Sequence, residues 1–568
     1  MRSKSMTPLK RFFKLLKEEK NQLYSIYFYA VLNGLVALSL PLGIQAILNY
    51  ILGGRVSTSW ILLVIVVAAG VAFGGFLQIS QLQISENLQQ RIFAKSGLSF
   101  AYRLPKIKSE LFHGKYPPEL VNRFFDTINL QKGISKILVE YSTALLQVLF
   151  GLILLSFYHA TFIIFGIGLI LILITIFYFT SAKGMQTALK ESTYKYRTAY
   201  WLEEIGRTFN TFKLVGGNSR LPILRADKLI KRYVEYRSNH FSVLIFQFKI
   251  LIIFKVLIVT TLLVAGSLLL MGEQISIGQF VAAEVIIVMV VNAVEKLIIS
   301  LETVYDTLVA VEKLGQVMDM DLEDEEKDEK DITPISNGIK LAMENVVFHP
   351  EESTKPILDN VSLTILPGSK TVVTGRSGSG KSALLALFSG LYERFEGEVK
   401  INDLPLHMIH LDKYRSVVGD CMELEQIFHG SIRENILVGR DIEPGQLEFL
   451  VDLVGLRDFV YQLPKDLDTI LLPEGKGLSR KKAQAIILAR SLVGQPKAMI
   501  LENALTHLDP EVKSKVINHL FTGSWTLLLV SQDPEVIASA HQVIVLDNGK
   551  VAYLGDQAGY QHFLTRNA

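Results

Sequence analysis

Eight consecutive residues, Gly375-Arg376-Ser377-Gly378-Ser379-Gly380-Lys381-Ser382, have the types and spacing to hold a polyphosphate. They fit G-x-x-x-x-G-K-[ST], the phosphate loop of ATP- and GTP-binding proteins. Its glycines let backbone N–H groups converge on phosphate oxygens, and the helix that follows adds the field of its N-terminus. In this pattern Lys381 reaches the β- and γ-phosphates and Ser382 helps to hold Mg²⁺. Such a loop needs a strand before it and a helix after it. Lys370-Thr371-Val372-Val373-Thr374 reads as a β-branched strand, and Ala383-Leu384-Leu385-Ala386-Leu387-Phe388 as a helix. The expectation is nucleotide binding; whether the nucleotide is split depends on residues elsewhere.

A chain of 568 residues predicts several domains. Hydrophobic residues make up 49%, high for a soluble protein, and the excess lies in roughly the first 305 residues. A membrane half followed by a soluble half is expected. The net charge is +3 with Lys and Arg spread along the chain, which gives no argument for nucleic acid. The single cysteine, Cys421, excludes intramolecular disulfides and Cys-rich metal sites, and reads as a buried structural thiol. Residues 1–20 are basic and amphipathic, with no cleavable signal evident.

In residues 8–20, Leu9, Phe12, Phe13, Leu15 and Leu16 fall to one side and Lys10, Lys14 and Lys17 to the other, as in a helix on a membrane surface. Six apolar runs follow at about 24–52, 59–84, 138–158, 161–181, 244–271 and 276–299, each near the ~20 residues a span requires. The connections at 53–57, 158–161 and 272–276 are short and almost free of positive charge. Those at about 85–137 and 182–243 are long and rich in Lys and Arg, which predicts cytoplasmic termini and cytoplasmic long segments. These segments read as helices extended past the bilayer, with breaks near 113–118 and 209–217. A short aromatic-bearing helix at each break is either a docking knob for a soluble domain or a plain turn. Lys249, Lys255 and Glu284 lie inside spans; they either line a translocation path or form a Lys–Glu lock between helices. Residues 316–336 are acidic and aromatic-free, a solvated linker. From about residue 337 short β-branched strands alternate with helices, an α/β domain.

In this order, with Ile357 to Gly368, residues 428–436 and Val545-Leu546-Asp547-Asn548-Gly549-Lys550, the chain resembles an ABC exporter half-transporter. The resemblance covers nearly the whole chain. It implies an α-helical six-span membrane domain followed by an α/β P-loop nucleotide-binding domain. The domains would be an elbow helix (1–20), the membrane domain (21–315), the linker (316–336) and the nucleotide-binding domain (337–568). The membrane half is most similar to type I secretion and peptide exporters, without the N-terminal peptidase domain some of these carry. Tyr116 to Asp126 looks like the family's first coupling helix. The resemblance also implies a homo- or heterodimer with another half-transporter, in a bacterial inner membrane. Two ATPs with Mg²⁺ would be sandwiched between the P-loop of one chain and the signature sequence of the other. Implied partners are an exported polypeptide and a membrane-fusion adaptor.

Several positions depart from the family pattern. After the strand Ala498-Met499-Ile500-Leu501, the metal-binding Asp is Glu502 and the catalytic Glu is Asn503. A neutral amide cannot accept a proton from the attacking water. The switch histidine is Gln532, and the Q-loop glutamine falls on Glu423, whose carboxylate can at best help the metal. The signature L-S-G-G-Q reads Leu478-Ser479-Arg480-Lys481-Lys482, keeping Ser479 for a γ-phosphate but losing the close backbone approach glycines permit. Arg480 could place a cation there instead. Asp509 is retained in the D-loop, and His349 stands where an aromatic stacks on adenine. The resulting expectation is an ATP-binding exporter subunit with impaired hydrolysis that depends on a partner. A non-transporting ATP-binding scaffold, or a lipid or small-molecule exporter of the same fold, are the alternatives.

Overall fold

The apolar runs become helices because a bilayer core offers backbone groups no other partners than those within the helix itself. The computed structural model describes residues 6–53, 58–112, 116–215, 220–323, 338–349, 355–422, 426–443 and 445–567. Two compact units are present: Met1–Pro105 with Tyr116–Met320, and Lys106–Lys115 with Asp321–Ala568.

Among the described residues, six helices are long and apolar enough to cross a membrane: Lys20–Leu52, Ser59–Lys106, Pro117–Ser156, Thr161–Arg207, Leu221–Met271 and Ile277–Met318. The first is interrupted at Leu38, between Lys20–Ala37 and Ser39–Leu52. Pro41 explains the break: it lacks an N–H for the Ala37 carbonyl and its ring crowds that turn. The third contains a single π-turn at Ile137–Tyr141. The sixth continues to Met318, past residue 315, because Val311, Leu314 and Val317 keep an apolar stripe buried. Most of the expected linker, 324–337, lies outside the described residues.

Glu284 does not lock the fifth helix; Lys255 instead meets Glu295 at 3.0 Å. Tyr116–Asp126, where the sequence leaves open a docking knob or a plain turn, forms the short helix Pro117–Val121 and the turn Asn122–Phe125 within the membrane unit. The residues integral to the second unit are 106–112. Ile107 pairs with Leu322, and Glu323 N–H donates to the Lys106 carbonyl at 2.8 Å. Lys108 reaches Glu393 at 2.7 Å, while the buried Glu110 carboxylate accepts from the Glu393 and Arg394 backbone. The second break also forms a short exposed helix, Phe209–Leu214, with Phe209 and Leu214 bare.

The elbow helix Pro8–Glu18 buries Phe12, Leu16 and, unexpectedly, Arg11. The Arg11 guanidinium pairs with Glu312 and with Asp319 at 2.7 Å. Gly315 makes room for it, since a Cβ there would lie 2.6 Å from Arg11 Nε. Arg11→Ala leaves two carboxylates without their cation. Both are partly solvated, so the expected cost is about 1–3 kcal/mol, read as faster proteolysis within residues 8–18.

The second unit is built on a six-stranded sheet ordered Lys550–Gly555, Gln542–Asp547, Lys370–Gly375, Thr526–Val530, Ala498–Glu502 and Val418–Cys421. All neighbours are parallel except the first pair. Val372, Val373, Ile500, Leu501 and Leu527 to Leu529 have no measurable exposure, as strands covered on both faces require. A four-stranded antiparallel sheet contains Leu341–Phe348, Leu358–Ile365, Glu396–Ile401 and Leu404–Pro405. Cys421 is buried, as expected.

Candidate functional site

Three adjacent parallel strands end together. Val530 lies in register with Val373 on one side and Glu502 on the other, so the residues following each strand share one edge of the sheet. That edge is where open α/β sheets bind ligands.

The phosphate loop leaves its strand at Gly375 (φ 140°) and enters the helix Lys381–Phe388 through Gly380 (φ 101°). Side chains are excluded at both ends: a Cβ on Gly375 would lie 2.1 Å from the Leu546 carbonyl, and one on Gly380 2.9 Å from the Ile357 carbonyl. Arg376, Ser377 and Gly378 are exposed at the loop crest, and Ser379 is buried. Lys381 Nζ donates to the carbonyls of Gly375 (3.0 Å) and Arg376 (2.6 Å). Burial holds the Lys381 ammonium below its ordinary value, opposed by Glu502. Ser382 Oγ donates to the Glu502 carboxylate, which is almost fully buried.

A turn with left-handed glycines at both ends, a lysine inside it and a hydroxyl–carboxylate pair beside it fits a magnesium–nucleotide complex. The loop amides and Lys381 would hold the phosphates, and Ser382 with Glu502 would hold the metal. Bound there, Mg²⁺ would neutralise charge on the phosphate oxygens. Glu502→Gln keeps the hydrogen bond to Ser382 but removes the charge. It is expected to weaken ATP binding in Mg²⁺ at least tenfold while leaving Mg²⁺-free binding nearly unchanged, in a fluorescent-nucleotide titration.

Asn503 and Gln532 reach this edge. Asn503 is exposed, with φ 49°, and its N–H donates to the Val530 carbonyl at 3.3 Å. Gln532 Nε2 donates to the Gly375 carbonyl at 3.0 Å, the same oxygen that Lys381 contacts. The switch position is thus tied to the phosphate loop through an amide. Next to it, Lys513 pairs with Asp533 and holds its carboxyl below the usual range.

Other expected site residues lie elsewhere. Ser479 caps the helix Arg480–Ser491, accepting from the Lys482 N–H at 3.4 Å. Arg480 is exposed, Lys481 pairs with Asp509, and Lys482 lies 3.8 Å over the Phe459 ring. The Lys481–Asp509 pair links the two segments; both residues stand out in the sequence, their pairing does not. His349 is exposed beyond the strand Leu341–Phe348, while Phe348 turns inward and stacks on Tyr392 at 5.0 Å. Glu423 lies outside the described residues.

The comparisons agree with this geometry. Residues 358–506 match the family model for the ABC transporter. A solved structure of a bacterial Atm1-family ABC exporter with ATP bound has the same fold. It matches with TM-score 0.80 over 97% of this chain and 98% of that one, at 18% identity. Among curated relatives, the transport/processing ATP-binding protein ComA of Streptococcus pneumoniae is 28% identical over 283 residues, 49% of this chain and 39% of ComA. The uncharacterized ABC transporter ATP-binding protein YfiB of Bacillus subtilis is 28% identical over 247 residues, 43% of this chain and 42% of YfiB. The ABC-type transmembrane transporter verA of Clonostachys rogersoniana is 29% identical over 220 residues, 38% of this chain and 17% of verA. The chain thus spans less than half the length of each. Fold and site together define an ABC-type nucleotide-binding domain joined to a multi-pass membrane domain. The chain has the fold of an ABC exporter, and its match to the ABC transporter family model lies in residues 358–506.

Proposed function

We propose that this chain is the ATP-binding, hydrolysis-impaired subunit of an exporter for a protein or peptide, working as a dimer with another half-transporter. One observation carries the reading: a phosphate loop with its Ser382–Glu502 pair in place stands beside Asn503 and Gln532, neither of which can take a proton from water. The altered signature Ser479-Arg480-Lys481 adds a second loss, so neither composite site is whole in a homodimer or with an intact partner. Similarity to ComA, a transport/processing protein by name, supports a transport role, and the type I secretion resemblance of the membrane half supports polypeptide cargo. The charge of the connecting segments supports cytoplasmic termini, and the type I secretion resemblance supports a bacterial inner membrane and a membrane-fusion adaptor.

The test is ATP turnover by the purified full chain, alone and with an intact half-transporter. The isolated chain is expected to bind ATP, to lose that binding in Lys381→Ala, and to release phosphate no faster than Lys381→Ala. Robust turnover by the isolated chain, abolished by Lys381→Ala, sinks the reading. Polypeptide export unaffected by Lys381→Ala would favour the scaffold alternative.

A further inference from the structure

The membrane unit carries a half-open polar cavity of about 350 Å³ where its first, second, third and sixth long helices meet, with Gln78, Glu140 and Lys296 at its exposed side. Carboxamides reach it from Asn33, Gln78, Gln81 and Gln147, and Thr143 adds a hydroxyl. Glu140 and Lys296 contribute one charge of each sign. All of these positions fall inside apolar runs, where polar groups are expensive to keep.

Three observations separate this cavity from ordinary polar packing. Gln81 has no exposure and donates Nε2 to the Ile26 carbonyl at 3.2 Å, leaving its Oε1 without a partner. Thr143 Oγ1 is buried and unpartnered as well. A buried acceptor left unmade is costly unless something else supplies the donor. Second, Glu140 sits within the π-turn Ile137–Tyr141, a distortion that concentrates at functional sites. Third, among the described residues neither Glu140 nor Lys296 is in an ion pair, although the neighbouring Lys255 and Glu295 pair with each other. The Lys255–Glu295 contact joins two helices; the Glu140 and Lys296 charges remain available.

We propose that this cavity binds a zwitterionic peptide segment. The carboxamides pair with peptide N–H and C=O groups, Glu140 takes an ammonium, and Lys296 takes a carboxylate. A phosphoethanolamine headgroup matches the two charges equally, but beyond its ammonium it only accepts hydrogen bonds and leaves no N–H for the unpartnered Gln81 Oε1, which a peptide N–H supplies. The assignment rests on the polypeptide-export reading and names the part of the cargo that is recognised.

The test uses the full chain in lipid nanodiscs, titrated with tetra-alanine bearing free termini, with its N-acetylated and amidated form, and with phosphoethanolamine. Tetra-alanine is expected to raise the unfolding temperature saturably. Glu140→Gln should weaken tetra-alanine at least tenfold but leave the capped peptide unchanged, and Gln81→Leu should weaken both at least tenfold. Equal affinities in wild type and both variants overturn the proposal. So does binding of phosphoethanolamine without peptide, which assigns the cavity to lipid, and so does absence of all binding. Should Gln81→Leu fail to fold, the exposed Glu140→Gln decides alone. Export measured with an active partner separates the two readings. Polypeptide export that survives both variants removes the cavity assignment only. Peptide binding in a system that exports no polypeptide removes the export reading only.

Discussion

Asn503→Glu combined with Gln532→His, Arg480→Gly and Lys481→Gly is expected to raise ATP turnover of the full chain about 10²–10⁴-fold, the usual weight of a general base. Asn503 follows directly on a Glu502 that is buried and bonded to Ser382, so a carboxylate at 503 stands next in sequence to the metal pair, at the cost of the strain that φ 49° imposes on a Glu. Gln532→His replaces an amide that bonds the Gly375 carbonyl, and a neutral imidazole can keep that bond through one ring nitrogen. Arg480→Gly and Lys481→Gly remove side chains from the first turn of the helix Arg480–Ser491, where cations oppose the helix field. Lys481→Gly also releases Asp509 from its ion pair. Phosphate release with Lys381→Ala as background is the measurement. Turnover that stays at background while ATP binding is retained would show that loss of these groups is not what silences the site.

Gly375→Ala is expected to have the largest effect on the nucleotide-binding unit itself. Its φ of 140° is a region that L-residues rarely adopt, costing about 1–3 kcal/mol. The new methyl would lie 2.1 Å from the Leu546 carbonyl, a backbone atom that cannot swing away, which adds about 1–3 kcal/mol of overpacking. The relief available is displacement of the strand Gln542–Asp547, which pairs with the phosphate-loop strand through Leu546 and Gly375. The same shift would move the carbonyl that Lys381 and Gln532 both contact. ATP binding should therefore fall below detection, and the unfolding of this unit should move down by several degrees. Gly378→Ala is the control, because a Cβ there meets nothing within 4 Å and only the backbone cost at φ 78° remains. Equal effects at 375 and 378 would overturn the packing argument.

Much of the architecture is legible in the residues because it depends on local chemistry. Each of the six spans is long and apolar enough to be seen in a window, and the phosphate loop is contiguous, so strand, turn and helix fall in the expected order. The placement of Glu502, Asn503 and Gln532 at one sheet edge is also legible, since Glu502 ends a buried strand, Asn503 follows it and Gln532 lies just past another. Pairings between distant residues are different. Sequence marks Lys249, Lys255 and Glu284 as ionisable residues in spans, and the same criterion applies to Glu140, Glu295 and Lys296. Only helix packing decides that Lys255 meets Glu295 and that Glu140 and Lys296 face one cavity. Likewise, burial of Arg11 requires the absence of a side chain at Gly315, about three hundred positions away. Residues 106–112 belong to the nucleotide unit because Glu110 and Lys108 find their partners there, which no local pattern announces. Local propensity and apolar periodicity determine which elements form and carry the chain to its nucleotide grip. The choice of partner for each buried polar group needs the full set of neighbours, and that set exists only in the folded chain.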